Sequence, residues 1–178
     1  ATPIPYKSVL PAGWNPLRYA SVELWLPSSF VGGDMLDNRS ATLAAIAALG
    51  PEFSSVVEAS GQIPPTTLLL AVDPNLGRYL IITNVIVFFE VGTPGGLDGY
   101  PNYYLESYYL AELPNSYIQD NRRYAIRDLP GRRFIISARR GTIEFSETVY
   151  ILQDGDTIWA LSCVTSAAEL YERLPVFD

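Results

Sequence analysis

The chain has 178 residues, of which 48% are hydrophobic and 17% charged, and these proportions fit one globular domain with its own core. It contains one cysteine and no histidine, which excludes a Ser-His-Asp triad, a Cys-His dyad and a His-ligated metal. Its net charge of −7 argues against nucleic-acid binding, because that binding depends on neutralising phosphates.

The first 18 residues contain four prolines and little periodicity, which predicts an extended Pro-rich lead-in or tether at 1–18. A single domain is then expected over 19–178. Tyr19–Leu26 alternates well enough for a strand, and a loop with two glycines follows it. Asn38 or Ser40 is suited to cap a helix that ends at Leu49.

The middle of the chain predicts one hairpin and one helix. Thr66–Val72 and Tyr79–Val91 are rich in apolar and β-branched residues, and they flank a stretch with the residues of a tight turn. A glycine-rich loop at Gly92–Gly99 should precede a helix. Proline suits the first turn of a helix, so we expect this helix over Pro101–Leu113.

Four further strands in meander order and a last helix complete the predicted elements. Each pair of strands is separated by turn residues that favour antiparallel hairpins, and a capping box opens the helix at Ser166. The predicted strands are Ile118–Arg127, Arg132–Arg140, Thr142–Leu152 and Thr157–Thr165. We therefore predict an α+β fold, an α/β/α sandwich with a mainly antiparallel sheet of about six to seven strands.

Element order and three stretches of sequence resemble the Mog1/PsbP-like superfamily. The stretches are Tyr19–Phe30, the Leu-Pro-Gly-Arg-Arg of Leu129–Arg133, and Val149–Val164 with its Asp-Gly turn. The resemblance implies a non-enzymatic accessory protein of the PsbP-like type that docks on a larger complex. It also implies an extracytoplasmic location (secreted, periplasmic or lumenal) with association at a membrane surface. The histidine and carboxylate ion sites of PsbP-type proteins cannot be transferred, because this chain has no histidine.

Seven of the 11 arginines lie between Arg122 and Arg140, where Asp128 is the only acid. A guanidinium pairs bidentately with carboxylate or phosphate, so this arginine hairpin is predicted to bind an acidic protein surface or an anionic headgroup. Across a turn at residues 129–131, Arg127 and Arg132 should lie nearly opposite. Even with Glu144 and Glu147 on the next strand, five positive charges would remain in excess. The alternative is a solvated sheet face. The predicted partner-binding arginines are Arg123, Arg127, Arg132 and Arg133.

A second candidate surface is the tyrosine-rich helix. On a helical wheel its tyrosines spread around about two-thirds of the circumference, too wide for one sheet-facing stripe. Tyrosine is enriched in protein interfaces, so we predict partner contacts from Tyr103, Tyr104 and Tyr108. The alternative is a helix covered on most sides.

Two other function classes stay open. One is a small-molecule-binding module with a cleft between the sheet and the tyrosine-rich helix. The other is a carboxylate-dependent hydrolase, which is disfavoured because Glu144 and Glu147 have opposite parity on one predicted strand and should face opposite ways. We therefore expect no enzyme activity and no cofactor or metal. Cys163 lies in an apolar strand and should be a buried free thiol.

Overall fold

The computed structural model of the protein describes residues 9–19, 22–61, 63–76, 81–126 and 129–178. Nine strands and four α-helices lie within these ranges. The strands are β1 (Trp14–Tyr19), β2 (Val22–Pro27), β3 (Val31–Asp34), β4 (Thr67–Val72), β5 (Asn84–Val91), β6 (Tyr117–Ile126), β7 (Leu129–Arg140), β8 (Ile143–Asp154) and β9 (Thr157–Ser166). The helices are α1 (Arg39–Ala47), α2 (Ser54–Ala59), α3 (Gly96–Leu105) and α4 (Leu170–Phe177).

Seven of these strands form one sheet in the order β3-β4-β5-β9-β8-β7-β6, and each neighbouring pair is antiparallel. The turns after β7 and β8 place Gly141 and Gly155 at φ of +64° and +58°, a backbone conformation that glycine adopts without steric cost. The predicted α+β fold with an antiparallel sheet is confirmed.

Helices α1, α2 and α3 cover one face of the sheet, which we call the α3 face. Ile46 of α1 packs with Val72 of β4, and Tyr104 of α3 stacks near Phe88 and Phe134. Alternate residues of each strand point to the same face, which is why the apolar positions of five strands meet the helices there. A π-helical turn at Glu106–Leu110 continues α3.

The opposite face, which we call the α4 face, is covered by the β1–β2 ribbon and by α4. Leu26 of β2 packs with Ala71, Val85 and Cys163 of the sheet, and Phe177 of α4 lies against the same cluster. The Cys163 thiol is buried and unpaired, as predicted, and its burial raises its pKa well above the usual value. Helices, sheet, and the ribbon with α4 thus form three layers.

Several boundaries differ from the predicted ones, among them the start of β7, which is at Leu129 rather than Arg132. Three others change the layers. Residues 14–19 form β1 rather than the end of the lead-in, because pairing with β2 partly buries Leu17 against the sheet. The predicted loop after β2 contains β3, in which Gly32 lets the backbone approach β4: a Cβ here would lie 2.1 Å from the carbonyl oxygen of Leu70. Helix α3 begins at Gly96, within the predicted loop, and Pro101 lies inside it.

Candidate functional site

The hairpin of β6 and β7 carries the arginines, and its register differs from the predicted one. Arg132 lies opposite Arg123, and Arg133 lies opposite Arg122. The predicted pairing of Arg132 with Arg127 is therefore wrong; Arg127 itself is outside the described residues. The physical reason is that Leu129 and Pro130, which have turn chemistry, belong to β7 and lie opposite Ile126 and Ala125. Pairing with β8 begins only at Gly131, so the missing N–H of Pro130 interrupts no hydrogen bond between β7 and β8.

Two of the arginines lie on the α3 face and share one carboxylate. Arg123 Nη2 contacts Asp98 Oδ2 at 2.7 Å, and the guanidinium of Arg132 contacts the other oxygen of Asp98. Arg132 also donates to Asn121 Oδ1 at 2.8 Å. Hydrogen bonds from Arg132 and Arg123 lower the pKa of Asp98. Asp98 is in the first turn of α3, where the helix dipole also favours a negative charge.

The next two arginines lie on the α4 face. Arg122 Nε is 2.8 Å from Asp120 Oδ2, and Arg133 Nη1 is 3.0 Å from Asp178 Oδ1 beside α4. Asp178 also accepts a hydrogen bond from the Tyr150 hydroxyl. The side chain of Arg133 is mostly buried, whereas that of Arg122 is 69% exposed. The hairpin therefore does not present its arginines as one surface.

Carboxylates from distant parts of the chain neutralise much of the hairpin's charge. The prediction of five positive charges in excess is wrong. Five of the six described arginines of this window pair with four carboxylates, and Arg139 donates to the carbonyl oxygen of Gly141 instead. Six guanidinium groups against four carboxylates leave two positive charges in excess among the described residues. The sequence count considered the next strand alone. It missed Asp120 on β6 itself and the carboxylates on α3, after the π-helical turn and beside α4. The pairing carboxylates are Asp98, Glu112, Asp120 and Asp178.

The tyrosine-rich helix is packed against the sheet rather than open to a partner. Tyr104 is 5% exposed and cannot belong to a docking surface. Tyr103 is half-buried, and Tyr108 is partly exposed with its hydroxyl 2.5 Å from Glu90 Oε1. Tyr100, Tyr104 and Tyr109 fill the space between helix and sheet, so the predicted ligand cleft at this position is not present among the described residues.

Glu147 is a buried hydrogen-bond acceptor beneath the same helix. Its Oε1 accepts a hydrogen bond from Tyr104 at 2.8 Å, and the hydroxyls of Tyr109 and Ser162 also donate to it. Burial raises the pKa of Glu147. Glu144 lies on the other face and is exposed. The predicted opposite orientation is confirmed, so these two carboxylates do not converge as an acid/base pair.

One edge of the sheet, which the sequence did not predict as a binding surface, is left without a pairing strand by the described residues. Strand β6 is the last strand of the sheet, and most of its side chains are exposed. Tyr171 of α4 lies beside it, with its hydroxyl oxygen 3.3 Å from Gln119 Nε2. Between β6 and α4 runs a polar groove of about 510 Å³, whose lining includes Gln119, Asp120, Arg122, Arg133 and Tyr171. In the sequence, the long polar stretch of β6 is the feature that could have predicted this exposed edge.

A second concavity, which we call the apolar cleft, also lies on the α4 face. It has a volume of about 470 Å³ and is bounded by β2, the central strands of the sheet, the end of α4 and the tip of the β6–β7 hairpin. Its apolar lining includes Leu24, Tyr124, Leu129, Leu152, Trp159 and Phe177. No local pattern predicts it, because its walls come from seven separate segments of the chain.

The described residues hold no group of three or more Asp, Glu or Cys side chains that could bind a metal. None of the helices in the described ranges is long and apolar enough to cross a membrane. These findings concern the described part of the chain alone.

Comparison with protein-family models and with curated proteins finds no match. Among solved structures, cyanobacterial PsbP (CyanoP) from Synechocystis sp. PCC 6803 is similar at a TM-score of 0.60 and 10% identity, covering 98% of this chain and 92% of that one. A protein of unknown function from Pseudomonas aeruginosa, PA94, is similar at a TM-score of 0.53 and 10% identity, covering 93% and 92%. The chain therefore has the Mog1/PsbP-like fold that its sequence resembles.

Proposed function

We propose that the protein is a non-enzymatic docking module of PsbP-like fold that binds a larger protein complex along one edge of its sheet. We call this region the β6 edge surface and define it as Tyr117, Arg122, Arg123 and Tyr171. The observation that carries the proposal is a ten-residue edge strand whose outer side no described strand pairs with and which is flanked by exposed aromatic and guanidinium groups. Tyrosine and arginine are over-represented among the residues that dominate binding energies.

An extended segment of the partner is the occupant that this edge favours. The outer N–H and C=O groups of an edge strand are able to pair with an added strand. Arg122 and Arg123 lie on opposite faces of β6 and are both more than 60% exposed, so they flank such a segment from both sides. Two guanidinium charges of the hairpin remain in excess, which favours acidic side chains on the partner.

The aromatic residues extend the surface beyond the strand. Tyr117 begins β6, and Tyr171 projects from α4 with 72% of its surface exposed. A tyrosine ring offers a large apolar contact together with a hydroxyl that can form a hydrogen bond. Both rings therefore lie where a segment paired with β6 would pass.

The remaining parts of the proposal rest on the fold and on charge. The likeness to cyanobacterial PsbP supports an accessory role in an extracytoplasmic compartment, with association at a membrane surface through the partner complex. The net charge of −7 supports a protein partner rather than nucleic acid.

Charge reversal on the β6 edge surface tests this proposal. Tagged protein carrying Arg122→Glu and Arg123→Glu is compared with wild type in quantitative affinity capture from membrane and soluble extracts of the source organism. Arg18→Glu is the matched control, since Arg18 is also 69% exposed and pairs through Nε with a carboxylate. Both altered proteins should retain the wild-type circular dichroism spectrum.

We expect one set of proteins to be recovered by wild type and by Arg18→Glu but lost with the double variant. Binding of the purified partner to each protein then confirms the difference. If all three proteins recover the same partners equally at low and moderate salt, the proposal is contradicted. The arginines would then serve only to shield the edge strand from pairing with other copies of the chain. Arg132→Glu is unsuitable here, because the side chain of Arg132 is only 13% exposed and the new carboxylate would be largely buried beside Asp98. Arg122 and Arg123 also lie beside carboxylates, but both are more than 60% exposed, so solvent and salt screen the like charges there.

A further inference from the structure

We infer that the apolar cleft is a binding site for an uncharged, ring-containing small molecule that carries a hydrogen-bond acceptor oxygen. The cleft is separate from the β6 edge surface, and its floor is the middle of the sheet. Leu152 of β8 and Trp159 of β9 are cross-strand partners there and stay partly exposed. Central strands are normally covered on both faces in a three-layer fold, so the gap that the described residues leave above them is a site rather than an edge.

The size and the walls of the cleft fit a small molecule. Its volume of about 470 Å³ lies in the range of pockets that bind drug-sized ligands. Aromatic rings of Tyr124, Trp159 and Phe177 contribute to its walls, and such rings stack favourably on other rings. Leu24 of β2 and Leu129 of β7 also line it, and Leu129 is exposed.

Charge determines which apolar molecules the cleft accepts. Its charged lining residues among the described part of the chain are Glu23, Asp154 and Asp178, all of them acidic. No lysine or arginine lines it there, so the carboxylate or sulfonate of an anionic ligand would meet like charges without a partner. The site therefore selects against fatty acids and other anions and favours a neutral molecule.

The hydroxyl of Tyr124 supplies the polar element of recognition. Tyr124 lines the cleft and is 4% exposed, and its buried hydroxyl has no hydrogen-bond partner among the described residues. By contrast, the neighbouring Tyr150 hydroxyl donates to Asp178. A buried donor without an acceptor is costly, and a ketone or similar oxygen that reached Tyr124 would supply the missing acceptor.

Three fluorescent probes distinguish these features. Prodan is an uncharged naphthyl ketone, N-phenyl-naphthylamine is uncharged but lacks the carbonyl, and anilinonaphthalene sulfonate is an anion of similar size. In equilibrium titrations of the full chain we expect saturable binding of prodan with one site per chain. The sulfonate should bind at least about tenfold more weakly, as expected for like charges in a partly buried site.

Tyr124→Phe removes only the hydroxyl and is the main variant. It should weaken prodan binding by about three- to tenfold, the range expected for one neutral hydrogen bond, and leave N-phenyl-naphthylamine binding unchanged. Tyr117→Phe removes an exposed hydroxyl on the same strand and should change neither. Leu129→Trp, at an exposed position of the cleft lining, adds bulk to the cleft without altering the core and should weaken both neutral probes.

Each outcome decides the inference. Loss of prodan affinity in Tyr124→Phe and in Leu129→Trp, with both proteins folded by circular dichroism, supports it. No saturable prodan binding, equal prodan affinity for wild type and Tyr124→Phe, or sulfonate binding as tight as prodan binding would each overturn it. If Tyr124→Phe does not fold, an unchanged prodan affinity in Leu129→Trp overturns it. None of these results depends on Arg122 or Arg123, so the docking proposal is tested separately.

Discussion

The hydroxyl of Tyr104 donates a hydrogen bond to Glu147 Oε1 at 2.8 Å, and this bond joins α3 to the middle of the sheet. The two residues are 43 positions apart in the chain, and both are almost completely buried. Tyr109 and Ser162 complete the donor set around the carboxyl group. A buried carboxyl group is tolerated only when its oxygens have such partners, so the tyrosine-rich helix packs where it does partly to satisfy Glu147.

Removal of the Tyr104 hydroxyl should therefore destabilise the fold. We expect Tyr104→Phe to lower the free energy of unfolding by about 1–2 kcal/mol, because Glu147 loses a buried donor that water cannot replace. Tyr108→Phe is the control: its hydroxyl bonds Glu90 at a partly exposed position, and its loss should cost less than about 0.5 kcal/mol. Urea denaturation measures both. Equal losses of unfolding free energy in the two variants would show that the buried hydrogen bond to Glu147 stabilises the fold no more than the partly exposed bond to Glu90.

Glu147 should make stability depend on pH in an unusual direction for a carboxylate. Burial raises its pKa above the ordinary value of 4.5, so the folded protein binds this proton more tightly than the unfolded chain does. The stabilisation from this group is fully present below the ordinary pKa and is lost as the pH rises through the pKa in the folded protein. Glu147→Gln has no ionisable group at this position, so its stability lacks this contribution to the pH dependence.

The measurement is the free energy of unfolding of wild type and Glu147→Gln at about pH 5 and about pH 8. We expect the stability of wild type relative to the variant to be smaller at the higher pH. Other carboxylates titrate equally in both proteins and cancel in the difference. A difference that stays constant, or one that grows with pH, would mean that Glu147 is ionised in the folded protein at both values.

Tyr124→Phe should leave the ligand-free protein as stable as wild type or more stable, by up to about 1 kcal/mol. The reason is that the variant removes a buried hydroxyl without a partner among the described residues and keeps the ring, which packs edge-on against Tyr150 with centroids 6.1 Å apart. Thermal unfolding of the two proteins shows whether the variant is more or less stable than wild type. A clear loss of stability would indicate that the hydroxyl has a partner in solution.

Gly32→Ala should detach β3 from the sheet. The added Cβ would lie 2.1 Å from Leu70 O and 2.4 Å from Ala71 Cα, and these are backbone atoms that cannot move aside separately. We expect a loss of about 3 kcal/mol, at the upper end of the usual cost of overpacking. Gly61→Ala, whose Cβ would meet only Glu58 O at 3.9 Å, is the control and should be nearly neutral in chemical denaturation.

The Cys163 thiol should react slowly with a thiol reagent in the native protein and rapidly after denaturation. It is buried in β9, and burial raises its pKa, so both access and thiolate formation are suppressed. Absorbance after addition of Ellman's reagent follows the reaction. Fast labelling without denaturant would show that β9 opens readily or is packed differently.

The sequence by itself determined the properties that depend on near neighbours. Strand alternation placed Cys163 inside and Glu144 and Glu147 on opposite faces, and turn residues predicted the order of antiparallel strands. These features follow from the two-residue period of a strand and from the few backbone conformations that a turn allows. The fold class follows from them in turn.

The tertiary structure alone decided what each side chain meets. No local pattern brings Asp98 to Arg123 and Arg132, or Asp178 to Arg133, yet these contacts convert a strongly basic stretch into a mostly neutralised hairpin. Tyr104 is likewise predicted from the sequence to contact a partner at the surface of the tyrosine-rich helix, whereas the structure buries it in the core. Charge compensation and burial are set by elements that are far apart in the chain and close in space, and the periodicity of a single segment carries no information about its long-range neighbours.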